Sequence, residues 1–585
     1  MTKIKTSWDL SLLYKNATDP QIEKDLRRAE AAQRRFVKKY RDRRDYLETE
    51  ASLATALADY EKLPEDLLIK PLMYFHYRHD LDSRDSAIEA KINLLADRYT
   101  KSANEIAFFP IALSKIDLAV QKRFLASPLL SRYRYLLECS FAHGRHTLSE
   151  KEEQILNLMN QPAAALWVRG NEKVVSQQEI KWRGKTIPLT EAINQIHSLP
   201  TPARRALDRL VRDRLKSISS FAESELNAVV INKKIRDELR GYAEPYSATV
   251  LGYQNEPATV ENLIATVTKH FPISHRFYRV KAKMLGLKSL SYADRSAKLG
   301  QLKKKIPFDQ AVEIVRRAFG KVRPEYPKIF DQFLANGQID VFPKTGKHGG
   351  AYCSSHDRLP TFILLNHLPD FASVTTLAHE LGHAFHSTFS AKHQPPRYRG
   401  YSTATAEVAS TLFENFVFDE IWPMLSAAER VIALHDRLNA SIQTIFRQVA
   451  CFNFELDLHR QIRSQGSLPK EAIARLMNQH MQSYLGPAFK LDEDDGYFFV
   501  YWSHLRSFFY VYSYAFGEIV SSALYAEYQA DRKFEKKIRH FLSAGGSASP
   551  ENIFAGVGLN LRQPNFFERG LKKIEAEIEK LERLI

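Results

Sequence analysis

The chain has 585 residues, more than one hydrophobic core needs, and its 44% hydrophobic and 26% charged content excludes a disordered or fibrous protein. Its three cysteines, Cys139, Cys353 and Cys451, are an odd number, which argues against a disulfide framework and for a reducing compartment. The net charge of +16 is spread along the chain without a nucleic-acid-binding motif, so it reads as a solvated basic surface with no nucleic-acid partner.

In chain order, MTKIKTSWDLSLLYKNATDP has no unbroken apolar run after its basic start, so no secretory signal is expected. No window holds the roughly 20 apolar residues that span a bilayer, and the expected setting is cytoplasmic, off the membrane. From Pro20 to Arg44, apolar residues three or four apart among Glu, Lys, Arg and Ala predict a helix. Glu179–Leu189 alternates on both sides of Arg183-Gly184 and predicts a hairpin. Two prolines in Leu199–Arg205, with a helix start at Thr201, place a soft boundary near Pro200. This divides the chain into an N-terminal helical region, 1–200, and a second domain, 201–585. Gly349–Ser355 and Pro360–His367 read as two strands. No internal repeat is present.

TTLAHELGHAFHSTFS (Thr375–Ser390) then carries His379, Glu380 and His383 as H-E-x-x-H. Residues four apart share a helix face, so the two imidazoles can meet one ion, and two imidazoles suit zinc. Glu380 can reach a metal-associated water without ligating. Gly382, a poor helix residue, implies that something packs closely there. The alternative is a helix that carries two ordinary polar histidines, and a third ligand decides between the two. Tyr401–Phe416 reads as a second helix with Glu407 and Glu414 seven apart on one largely apolar face. A carboxylate there is costly to bury unless paired or metal-bound, so one is expected to ligate and the other to hold a ligand histidine. His386 reads as support or packing.

Farther on, DEDDG (Asp492–Gly496) lacks EF-hand spacing and reads as a solvated approach to a helix. His504–Glu518 reads as an aromatic-rich helix on which Tyr510 and Tyr514, four apart, can converge. Several of its aromatics must be core. AGGSAS (Ala544–Ser549) lacks a phosphate-loop ending and reads as a mobile loop. Leu571, Ile574, Ile578, Leu581 and Ile585 form the stripe of an amphipathic terminal helix docked on its own core, with Glu579 and Arg583 spaced to pair on another face.

HELGHAFH, followed 24 residues after His383 by EVASTLFEN, resembles the M3 family of zinc metallopeptidases, the thimet oligopeptidase and oligoendopeptidase F group. WDLSLLY, KHGGAYCSS, HLRSFFYVYSYAFGE and GGSASPENIFAGVGLN also resemble segments of the oligoendopeptidase F branch. The resemblance implies a mainly α, two-lobed fold around a deep substrate channel, with a small β-sheet beside the active site. It implies one zinc per chain, held by His379, His383 and Glu407, with Glu414 in support. It implies Glu380 as general base and His504, Tyr510 and Tyr514 as oxyanion donors, with Tyr512 in reserve. It also implies that the Gly349, Gly350, Ala351 and Tyr352 backbone holds an oligopeptide as an added strand. The expected activity is internal cleavage of short peptides. An exopeptidase with the same centre, and a non-catalytic zinc or peptide-binding protein, are the alternatives. Oligomeric state is not legible.

Overall fold

A computed structural model describes residues 4–300, 302 and 304–585. The fold is mainly α, with one hairpin and one three-stranded sheet among the described residues. The chain forms two compact units, each assembled from separated segments. One comprises Met1–Glu150, Lys304–Pro423 and Leu524–Gly558; the other comprises Lys151–Lys303, Met424–Ala523 and Leu559–Ile585. No helix among the described residues is long and apolar enough to cross a membrane.

In the first unit, α1 (Gln21–Tyr40) buries Ile22, Leu26, Ala29 and Phe36 at helical spacing. The sheet has the order β3-β5-β4, from β3 (Ile339–Asp340), β4 (Tyr352–Ser354) and β5 (Phe362–Leu364). Its middle strand β5 is buried on both faces, as its unbroken apolar run requires, and pairs parallel to β3 and antiparallel to β4. Trp8, Tyr77 and Leu364 pack with Phe362. The β4 strand is half-exposed, and its other edge carries no strand among the described residues.

Two long helices follow. The Asp370 side chain accepts the Ser373 N–H at 2.9 Å and caps α4 (Phe371–His393), and α5 (Thr403–Ile421) lies against α4. Ala544–Ser549 approaches the chain after α4 closely. The Gly546 N–H donates to the Tyr398 carbonyl at 2.8 Å. A Cβ on Gly545 would lie 2.1 Å from that oxygen, and Gly545 sits at φ +53°. Only glycine allows this approach.

In the second unit, β1 (Glu179–Trp182) and β2 (Lys185–Pro188) form the hairpin. Arg183 and Gly184 both take positive φ, the twist a two-residue turn needs. A helix α2 begins at Thr201 and runs to Ser217, followed by α3 (Ser219–Arg240). The terminal helix α8 (Phe566–Leu584) buries Leu571, Ile574, Ile578 and Leu581 within its own unit, whereas Ile585 is exposed. Glu579 pairs with Arg276 at 3.3 Å. The acidic run departs from its reading: Asp492 and Asp494 pair with Arg212 and Lys216, but Asp495 is buried, and burial pushes its carboxyl up to about 7.

The stretch expected as one helix from His504 is broken. A 3₁₀ turn covers Ser503–Arg506, and α7 (Tyr512–Ala530) starts only after residues 507–511. Arg506 anchors the turn. Its guanidinium meets Glu225 of α3 at 2.6 Å, with both side chains almost fully buried, and donates to the Phe499 and Trp502 carbonyls. Removing one partner of such a pair strands a buried charge. Arg506→Leu is expected to lower unfolding stability by about 3–5 kcal/mol, read by chemical denaturation. A loss under 1 kcal/mol would show that Glu225 finds another partner or takes up a proton at little cost.

Candidate metal centre

His379 and His383 lie one turn apart on α4. What brings a third donor to them is Gly382. A Cβ there would lie 2.7 Å from the Ser410 Cα and 2.8 Å from the Ala409 carbonyl oxygen of α5. The helices therefore meet backbone to backbone, which only glycine permits at this point. The close approach sets Glu407 Oε2 3.6 Å from His379 Nε2 and 3.9 Å from His383 Nε2. Two imidazole nitrogens and a carboxylate oxygen, all within 4.8 Å of one another, form the one such group that could hold a metal ion among the described residues. A tetrahedral zinc with bonds of about 2.0–2.1 Å has donor edges of roughly 3.4 Å, so the spacing and the donor types fit zinc.

Glu414, two turns beyond Glu407, receives His379 Nδ1 at 2.5 Å. That bond assigns the proton to Nδ1 and leaves Nε2 to face Glu407. The Ser410 hydroxyl donates to Glu407 Oε2 at 3.0 Å and steadies the carboxylate. Burial works against charge on His379, yet the Glu414 hydrogen bond and charge pull its pKa up to about 9. Burial and then the His379 charge push His383 down to about 3, so it stays a neutral imidazole. Burial also pushes Glu380 up to about 7, against the His379 charge and the nearby Cys353 backbone of β4, both of which pull it down. A carboxyl poised near neutrality can take and return a proton.

His386 stands apart from this group. It is buried and stacks on Tyr401, with ring centroids 3.6 Å apart and planes 7° from parallel. Gly349 and Gly350 have open space where a Cβ would sit, and Gly350 needs its positive φ. Asn366 Nδ2 donates to the Gly350 and His348 carbonyls and holds the turn before β4. The Tyr352 phenol donates to Asp80 at 2.5 Å.

His504, Tyr510 and Tyr514 form a second cluster, in the other unit. The His504 ring lies 5.3 Å from Tyr510 and 6.0 Å from Tyr514, and the Tyr514 hydroxyl donates to that of Tyr510 at 3.3 Å. Burial and then the Arg447 charge push His504 down to about 4, so it carries one ring N–H. Burial pushes the Tyr510 phenol well above its usual range, so it stays a donor. Tyr512 is fully buried, and its hydroxyl donates to Asn255 at 2.9 Å. Ser410, three residues after Glu407, carried a spacing signal that went unread.

The family model described as Peptidase family M3 matches residues 203–573, and one described as Oligopeptidase F matches residues 113–177. The chain is 26% identical over 525 residues to Oligopeptidase PepF of Bacillus subtilis, covering 88% of this chain and 78% of that protein. It is 25% identical over 593 residues to an oligoendopeptidase F homolog of Lactococcus lactis, covering 99% and 97%. A solved structure of a candidate peptidase from Chlamydophila abortus superposes with TM-score 0.85 at 25% identity, covering 99% of this chain and 98% of that one.

Gly382→Ala is expected to push α4 and α5 apart, cost about 1–3 kcal/mol of stability and weaken zinc binding, measured by denaturation and by competition with a chelator. Unchanged zinc affinity would show that the backbone contact does not set the donor spacing.

Proposed function

The chain belongs to peptidase family M3, and we propose on that footing that it cuts internal bonds of short peptides with one zinc held by His379, His383 and Glu407. Membership makes it a metalloendopeptidase acting on oligopeptides. The observation that carries the finer reading is the convergence of two imidazoles and one carboxylate with Glu380 beside them, leaving a fourth position for water or substrate.

Bound zinc would supply Lewis acidity, making water more acidic and a carbonyl more electrophilic. Glu380 takes the proton of the attacking water and returns it to the leaving amine. Glu414 keeps the His379 ring oriented through Nδ1. His504, Tyr510 and Tyr514 donate to the oxygen that becomes negative, and each such donor is typically worth about 2.7–4 kcal/mol. The free edge of β4, with the Gly349, Gly350, Ala351 and Tyr352 backbone, takes the peptide as an added strand with little demand on its side chains. In this reading 1–200 is an N-terminal helical region and 201–585 the catalytic domain. Three free cysteines support a cytoplasmic setting.

The test is a peptide of about ten residues, blocked at both ends and internally quenched, which an exopeptidase cannot cut. Wild-type protein should cleave it. Glu380→Gln should lose about 10²–10⁴-fold in kcat, the range of general-base catalysis, with zinc still near one per chain. Full activity in that variant, or a wild type that holds zinc and does not cut, would overturn the reading. Glu414→Gln should weaken zinc affinity about 10–100-fold in competition with a chelator. Unaltered affinity would show that Glu414 has no part in holding the ligand histidine.

A further inference from the structure

The three donors of the second cluster could not meet on one straight helix. His504 and Tyr510 are six residues apart, about 240° around a helix, and His504 and Tyr514 would be about 15 Å apart along its axis. Their rings nonetheless lie 5.3 Å and 6.0 Å apart. The break that allows this is built from Phe508 and Phe509, with φ of +42° and +62°. Bulky residues rarely adopt this conformation, and two in succession persist only where the surroundings force them.

The surroundings are specific. The Phe509 N–H donates to Glu455 Oε1 at 2.9 Å, from α6 (Gln448–Gln465). The Thr249 hydroxyl donates to the Phe508 carbonyl at 2.8 Å. His459, one turn beyond Glu455, sets its ring 5.6 Å and 5.0 Å from the two phenylalanines. Glu455 has no exposed surface, and its Oε2 has no hydrogen-bond partner among the described residues. An apolar side chain would cost less at this position, so the carboxyl needs a reason to be there. Burial pushes it up to about 8, so it holds the amide as a neutral acid at neutral pH.

We propose that Glu455 is a positioning residue, whose buried carboxyl holds the Phe508–Phe509 backbone in the left-handed turn that gathers His504, Tyr510 and Tyr514. The proposal rests on the donor roles assigned to those residues. It predicts that Glu455 acts on turnover and not on substrate affinity, since it touches neither substrate nor metal.

The experiment measures kcat and KM on the doubly blocked peptide, with zinc content and circular dichroism as folding controls. Glu455→Met removes the acceptor at similar volume and should lower kcat on the order of 100-fold, the scale of a misplaced reacting group, with KM and zinc unchanged. Glu455→Gln keeps an oxygen acceptor for the same N–H and should restore most of kcat. Tyr510→Phe should add little to Glu455→Met, because the phenol is already misaimed. Wild-type kcat in Glu455→Met, equal losses in the Met and Gln variants, or additive losses with Tyr510→Phe would each overturn the proposal. If Glu455→Met does not fold, Thr249→Val decides: it releases the other side of the turn, and kcat falls if the turn matters and stays if it does not. Cleavage by wild type that is lost in Glu380→Gln keeps the peptidase reading standing whichever way this falls.

Discussion

The candidate site depends on two helix backbones touching. Gly382 has no Cβ, and the space a Cβ would need is taken by Ser410 Cα and the Ala409 carbonyl oxygen. Any side chain would push α5 away from α4. Both histidines already share a face by helix geometry, so what remains variable is the distance to the carboxylate opposite. The 3.6 Å and 3.9 Å separations from Glu407 are thus a property of the helix contact. The price is one poor helix residue in the middle of α4, small beside an ion site with three protein donors.

Around that contact the polar groups are arranged so that each has one job. Glu414 and Ser410 fix the donors from behind, one on an imidazole and one on the carboxylate. Burial keeps Glu380 near neutrality instead of fully ionised. A carboxyl bound by several donors would be a stable anion and a weak base. Cys353 of β4 lies near Glu380, and the outer edge of β4 carries no strand among the described residues.

Most of the candidate metal centre was legible because it is written in helical spacing. H-E-x-x-H places two ligands on one face, Glu407 and Glu414 repeat at seven, and a mid-helix glycine flags a close packing partner. Spacing alone did not choose between Glu407 and Glu414. The choice came from family resemblance, and in the structure Glu407 is the one grouped with both histidines while Glu414 bonds the outer nitrogen. The hairpin was legible from alternation about Arg183-Gly184. Asp495 was misread as solvated because a run of four acidic residues says nothing about which one a neighbouring helix covers. The glycines of the glycine-rich loop serve close approach to Tyr398 and Gly400, which composition alone does not reveal.

The break at Phe508–Phe509 was illegible for a deeper reason. Turn signals in sequence are residues that tolerate positive φ at little cost: glycine, asparagine and aspartate. Phenylalanine is the opposite, so local propensity runs the helix straight through. What overrides it is tertiary: Phe509 is fully buried against Phe452, and its amide is captured by a carboxyl 54 residues away. The two positioning devices therefore differ in kind. The candidate metal donors are set by regular helix geometry with one glycine, and such a group can be read from spacing. The cluster of His504, Tyr510 and Tyr514 is set by strained backbone held from outside, and strain of this sort persists only where a folded environment over-determines it. A glycine in place of Phe508 would relieve the conformation and also free the turn to relax into helix. Bulky residues, locked by packing, keep Tyr510 aimed where a permissive residue would let it wander.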